Sequence, residues 1–117
     1  MPTTLIIRSQ QMRALEKDAQ KRALVEHVRT FLPDVCEGVA AADLAAAVDR
    51  CVARAASYGF TAYKDVEQFT MLTMSLGEGF EDREEFAWAR TILRDRHPAR
   101  APFRATWLYD RVVRQLG

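Results

Sequence analysis

Two cysteines, two histidines and a run of acids are the side chains of this chain that offer chemistry beyond solubility. Cys36 with His27 would pair a thiol nucleophile with its base. They stand nine positions apart with Pro33 between them, so helix geometry gives no reason for them to meet. A packed cysteine and a surface histidine are the expectation. Zinc ligation lacks donors, because no CxxC occurs and His27 and His97 are isolated. Cys36 and Cys51 lie in apolar, helix-like sequence, where cysteine behaves as a small hydrophobe. A reduced pair is expected over a disulfide.

Glu81, Asp82, Glu84 and Glu85 would serve as paired carboxylates or as a magnesium site. The spacing of an EF-hand loop is missing, and acids at a helix start are already explained by the positive end of the helix dipole. Gly77-Glu78-Gly79 is too short for a phosphate loop, and it lacks both the following GK[ST] and a preceding strand. Neither GxSxG nor HExxH is present. The expectation is therefore a chain with no catalytic residue, no metal site and no cofactor, which is not an enzyme.

Binding is the remaining class. The net charge of +1 hides an asymmetry. Residues 1–33 carry six Lys/Arg against three acids, residues 34–89 four against eleven, and residues 90–117 seven against two. Either the middle and the end neutralise one another across a helix packing, or the arginines form a face for an anionic partner. Arg90, Arg94, Arg96, Arg100 and Arg104 would suit phosphates. Against nucleic acid stand a pI near 7.8 and an acidic would-be recognition helix, which carries Asp65 and Glu67 after the 59–61 turn. Trp88 and Trp107 are aromatic anchors for a core or for an interface.

The elements that must position these groups are helical. Leu5, Ile6 and Ile7 read as an extended arm over residues 1–8, ahead of a single domain over 9–117. From Ser9 as N-cap, Met12, Leu15, Ala19, Ala23, Val28, Phe31 and Leu32 recur at helical spacing until Pro33. Asp34 to Gly38 reads as a turn or one helical turn. Asp43 would cap a second helix ending at Tyr58 before a left-handed Gly59. Thr61 would cap a third, running to Leu76. Asp82, with Glu85 in a capping box, would start a fourth that buries Phe86, Trp88, Ala89, Ile92 and Leu93. After a loop over 95–102, Pro102 would open a last helix that buries Ala105, Leu108, Tyr109, Val112 and Leu116 and exposes Arg104, Arg111 and Arg114. The fold class expected is all-α, a compact bundle of about five helices with a short extended N-terminal arm. No run approaches the ~18 apolar residues of a membrane span, and the opening lacks the pattern of a signal peptide. A cytoplasmic protein is expected.

The run from Ala53 to Thr61, then Asp65-Val66, Met71 to Gly77, Gly79-Phe80, Asp82, Trp88-Ala89 and Ile92-Leu93 follow a recurring pattern. With the opening from Ile6 to Met12, it resembles small helical proteins encoded beside spike (VgrG), PAAR and Rhs-type toxin genes in bacterial type VI secretion clusters. It departs from the commoner pattern over residues 79–85, where a proline would stand shortly before the tryptophan. The resemblance implies an adaptor or chaperone that holds a secreted effector or its PAAR/Rhs or VgrG-type spike, and that would be carried out with the spike. An immunity protein covering a basic toxin site with residues 78–85 is the alternative, and a small nucleic-acid-binding protein a further one. The expected partner-binding residues are Leu5, Ile6 and Ile7 on the arm, Glu78, Phe80 and Asp82 at the acidic loop, and Arg94, Arg100 and Arg104 near the end.

Overall fold

A computed structural model describes the backbone of residues 2–116 and the side chains of residues 16–116. Among them are six α-helices, three short 3-10 turns and no strand, the all-α architecture that the apolar periodicity predicts.

Helix α1 spans Pro2–Phe31. Where an extended arm was expected over 1–8, the backbone is helical from Pro2, and Ser9 lies inside the helix rather than at its cap. The physical reason is the absence of a breaker: no glycine or proline stands between Pro2 and Pro33, and proline is tolerated in a first turn. The side chains of Leu5, Ile6 and Ile7 lie outside the described residues, and with them the binding role expected of these three. Of the expected stripe, Val28 is buried, alongside Leu24, whereas Ala19, Ala23 and Phe31 are exposed. Pro33 ends α1 and opens α2, the single turn Pro33–Cys36.

Helix α3 spans Ala41–Ser57 and buries Leu44, Val48, Cys51 and Ala55, one side chain per turn. Its cap is Ala40 rather than Asp43. The alanines extend the helix by their own propensity, and Asp43 sits in the first turn, where its charge still opposes the dipole. The far end is a Schellman motif. Phe60 N–H donates to the Ala55 carbonyl at 3.0 Å and Gly59 N–H to Ala56 at 2.9 Å, while Gly59 takes a φ of 86°. Helix α4 spans Tyr63–Leu76, capped by Ala62 rather than Thr61, and buries Val66, Phe69, Thr70, Leu72 and Thr73. It packs against α1, α3 and the last helix, so it is the central element.

Residues expected to start a fourth α-helix at Asp82 instead form two 3-10 turns, Phe80–Asp82 and Glu84–Phe86. Helix α5 begins only at Ala87 and ends at Arg94. No capping box forms; Glu85 is exposed beside Arg83 at 3.3 Å. The turns bury Phe80, Glu81 and Phe86 together, with the Phe80 and Phe86 rings edge to face at 5.7 Å. The rings of Phe60, Phe69, Phe80, Phe86 and Trp88 succeed one another at 5.7–6.2 Å, an aromatic spine through the core.

A third 3-10 turn, Ala101–Phe103, holds Pro102, so α6 starts at Arg104 and runs to Leu116. Ala105, Leu108 and Val112 are buried as expected. Three side chains depart from the expected pattern: Arg104 is buried, and Tyr109 and Leu116 are exposed.

A Cβ on Gly59 would stand 3.3 Å from the Arg104 guanidinium and 3.4 Å from that of Arg96, whereas one on Gly38, also at positive φ, meets nothing within 4 Å. Gly59→Ala should therefore lose about 1–2 kcal/mol from the left-handed backbone and lose more than Gly38→Ala. Urea denaturation of the two variants measures the difference, and equal losses would contradict it.

Candidate functional site

Arg50, Arg54 and Tyr58 recur every four residues along α3, so one stripe of the helix presents all three to the 76–86 segment. Arg50 grips Glu78 with two hydrogen bonds, 2.7 and 3.2 Å. Arg54 donates to Glu81 and, at 2.8 Å, to Asp82. The Tyr58 hydroxyl donates to the same Glu81 oxygen at 3.0 Å. Arg90 of α5 closes the far side by donating to the carbonyls of Glu81 and Asp82 at 3.3 and 3.1 Å. Arg83 donates back to the Leu76 carbonyl at 2.6 Å.

The electrostatics follow from burial. Glu81 is 0% exposed, and its second carboxylate oxygen has no protein partner. Burial pulls the Arg54 guanidinium down, but the hydrogen bond and charge of Glu81 outweigh this and hold it above its ordinary value. Burial, then the Glu81 charge, pushes the Tyr58 phenol up. The hydrogen bond from Arg50 holds Glu78 below the ordinary carboxylate value. Burial also pushes the Cys51 thiol up to about 11, which leaves it little thiolate at neutral pH and hence poorly nucleophilic. Apart from that second Glu81 oxygen, the polar groups named here bond to other members of the fold, so the arrangement clamps a turn to a helix.

The expected site residues fall into three fates. Glu78 and Asp82 are at the surface but tied to Arg50 and Arg54. Phe80 is buried in the aromatic spine, a correction to its expected role at a surface, because a ring at the start of a tight turn fills the space beside Phe69. Arg104 is corrected likewise. Its guanidinium donates to the Leu93 and Tyr58 carbonyls, both at 2.6 Å, and lies over the Phe60 ring at 4.7 Å. It thus caps the C-terminal ends of α5 and α3, where positive charge opposes the dipole. Arg100 pairs with Asp95 within its own loop. Arg94 is exposed and forms no ion pair among the described residues. No hydrogen bond or ion pair among the described residues joins the 78–82 group to Arg94, Arg100 or Arg104.

His27 does not meet Cys36. Its Nε2 lies 3.6 Å from Glu67 and its ring rests on Phe31 at 4.5 Å. Cys36 and Cys51 are both free thiols. Among the described residues no three His, Cys, Asp or Glu side chains are placed to hold a metal, and no helix is long and apolar enough to cross a membrane.

What the sequence reasoning missed is an apolar surface. Phe31, Phe103, Trp107, Tyr109, Val113 and Leu116 are large, apolar or aromatic, and exposed. Phe103 and Trp107 stack at 5.6 Å. Trp88, by contrast, is half-buried, donates to Gln115 at 2.9 Å and carries Arg111 over its ring at 4.5 Å. Between the end of α1, α4 and α6 runs a groove of about 550 Å³ walled by Phe31, Met71, Val113 and Leu116. The available signal was a surplus: residues 103–116 hold more large apolar side chains than one helix face can bury.

No family model, no curated protein and no solved structure matches this chain.

Two tests address the clamp. Arg54→Met strands a buried carboxylate and should destabilise by about 3–5 kcal/mol, while the double replacement Arg54→Met with Glu81→Met should lose less than Arg54→Met alone. Urea denaturation decides, and additive losses would dissolve the pair. The Glu78 contribution is present in full above its ordinary pKa and is lost as the pH falls through its depressed folded value. Thermal unfolding of Glu78→Gln and the unaltered protein should accordingly differ at neutral pH and converge in acid; a constant gap would contradict the linkage.

Proposed function

We propose that this chain is a non-catalytic protein-binding accessory factor, an adaptor or chaperone for an effector or spike protein of a type VI secretion cluster. The observation that carries the binding role is the exposed apolar set at the end of α1, in the turn before α6 and on α6 itself: Phe31, Phe103, Trp107, Val113 and Leu116. Solvated surfaces hold scattered apolar residues, whereas several on neighbouring helices mark a surface that another molecule covers. The charged candidates offer less. Glu78, Glu81 and Asp82 are engaged by Arg50 and Arg54, and Glu85 by Arg83, so an immunity protein's acidic face would retain Glu84 alone of the 78–85 acids without such a partner among the described residues. Of the five arginines expected to suit phosphates, Arg90, Arg96, Arg100 and Arg104 are engaged with carbonyls or Asp95, which leaves Arg94 as the free member of that cluster among the described residues. The assignment to type VI secretion rests on the sequence resemblance over residues 53–93 and 6–12.

Co-expression with effector and spike proteins from such a cluster should yield a complex stable to size-exclusion chromatography. A chain that elutes alone beside every such candidate would remove the proposal.

A further inference from the structure

The groove between α1, α4 and α6 has a floor supplied by α4 and walls supplied by the end of α1 and by α6. We propose that it receives one short amphipathic helix of the partner protein, two to three turns long, with large apolar residues at i, i+3 or i+4, and i+7. This rests on the protein-binding role proposed above and names the surface and the partner's chemistry.

Three observations select that occupant. The first is area. Phe31, Tyr109, Val113 and Leu116 are 63%, 36%, 50% and 64% exposed. Together they offer at most about 400 Å² of coverable surface, no more than about half of the ~800 Å² per partner buried in a stable complex of folded proteins. One helix face suits it better than a second copy of this chain. The second is length. The floor runs along α4 from Glu67 through Met71 and Leu72 to Ser75, a span of roughly 12 Å of axis, enough for the stretch from i to i+7 on a helix laid alongside. The third is polarity. Among the described residues lining the groove Glu67 is the one carboxylate, and it lies 3.6 Å from the His27 ring at the edge of α1 and α4. Most of the remaining lining is apolar, so the side of the partner that enters it is apolar. A bilayer surface does not fit, because a groove flanked by two helices is concave and a membrane cannot enter it.

The test uses the full chain and a display library of helical peptides of about five turns, with affinities of the enriched peptides read by fluorescence anisotropy. Enriched peptides should share large apolar residues at i, i+3 or i+4, and i+7. Val113→Glu and Leu116→Glu, both at exposed positions, should each weaken binding about tenfold or more, with the urea midpoint checking that they fold. Trp107→Ala, which does not line the groove, should change it by less than about twofold. Peptides without that spacing, or binding indifferent to both glutamates, would overturn the proposal. So would self-association abolished by Val113→Glu, which makes the occupant a second copy, or binding to anionic phospholipid vesicles abolished by it, which makes the occupant a membrane. A co-purifying effector or spike whose binding ignores both glutamates would sink the groove and leave the accessory role standing. Absence of any protein or peptide ligand would sink both.

Discussion

Taking the Glu81 carboxylate out of water is costly by several kcal/mol unless positive charge and hydrogen bonds meet it, and the middle of this fold is arranged so that they do. Arg54 and Tyr58 reach it from α3, and Arg90 fixes the backbone on either side of it from α5. Because these partners come from two helices, the pairing sets where α3 lies relative to the 76–86 segment. Hydrophobic contact alone is non-directional and would tolerate several arrangements. The same clamp brings Phe80 and Phe86 into the aromatic spine, so the polar lock and the apolar core share one short piece of backbone.

Arg104 performs the corresponding service at the other end. Helices α3 and α5 both finish near it with carbonyls that have no partner in their own helix, and one guanidinium answers both. Gly59 permits the approach, since it supplies the positive φ of the Schellman turn and leaves room for the guanidinium. A residue that looks like surface charge in one dimension is thus part of the interior joint between three helices.

The consequence for function is a division of labour between polar and apolar side chains. Most of the charges that suggested a binding face are engaged with the fold itself, so they set geometry. Exposed apolar residues at the end of α1 and along α6 contribute little to holding the domain together. Their exposure exacts a solvation penalty that a partner would relieve. The helices that wall the groove are anchored by Leu24, Val28, Leu108 and Val112, so the groove's shape is set by the packed core.

The helical class and four of the long helices were legible from spacing alone, because burial on one face imposes a period that the residues themselves display. Leu44, Val48, Cys51 and Ala55 follow it, and so does the stop at Gly59. Caps were misplaced by one to three residues at Asp43 and Thr61, since a helix start depends on neighbours as well as on the polar residue nearest to it. Of the site, the sequence determined only which residues carry charge or grease. Whether Arg104 faces water or two helix ends, whether Glu81 meets solvent or Arg54, and whether Leu116 is covered were decided by tertiary structure. The partners of those side chains stand 11 to 46 positions away in sequence, and no local pattern encodes which distant helix arrives beside them.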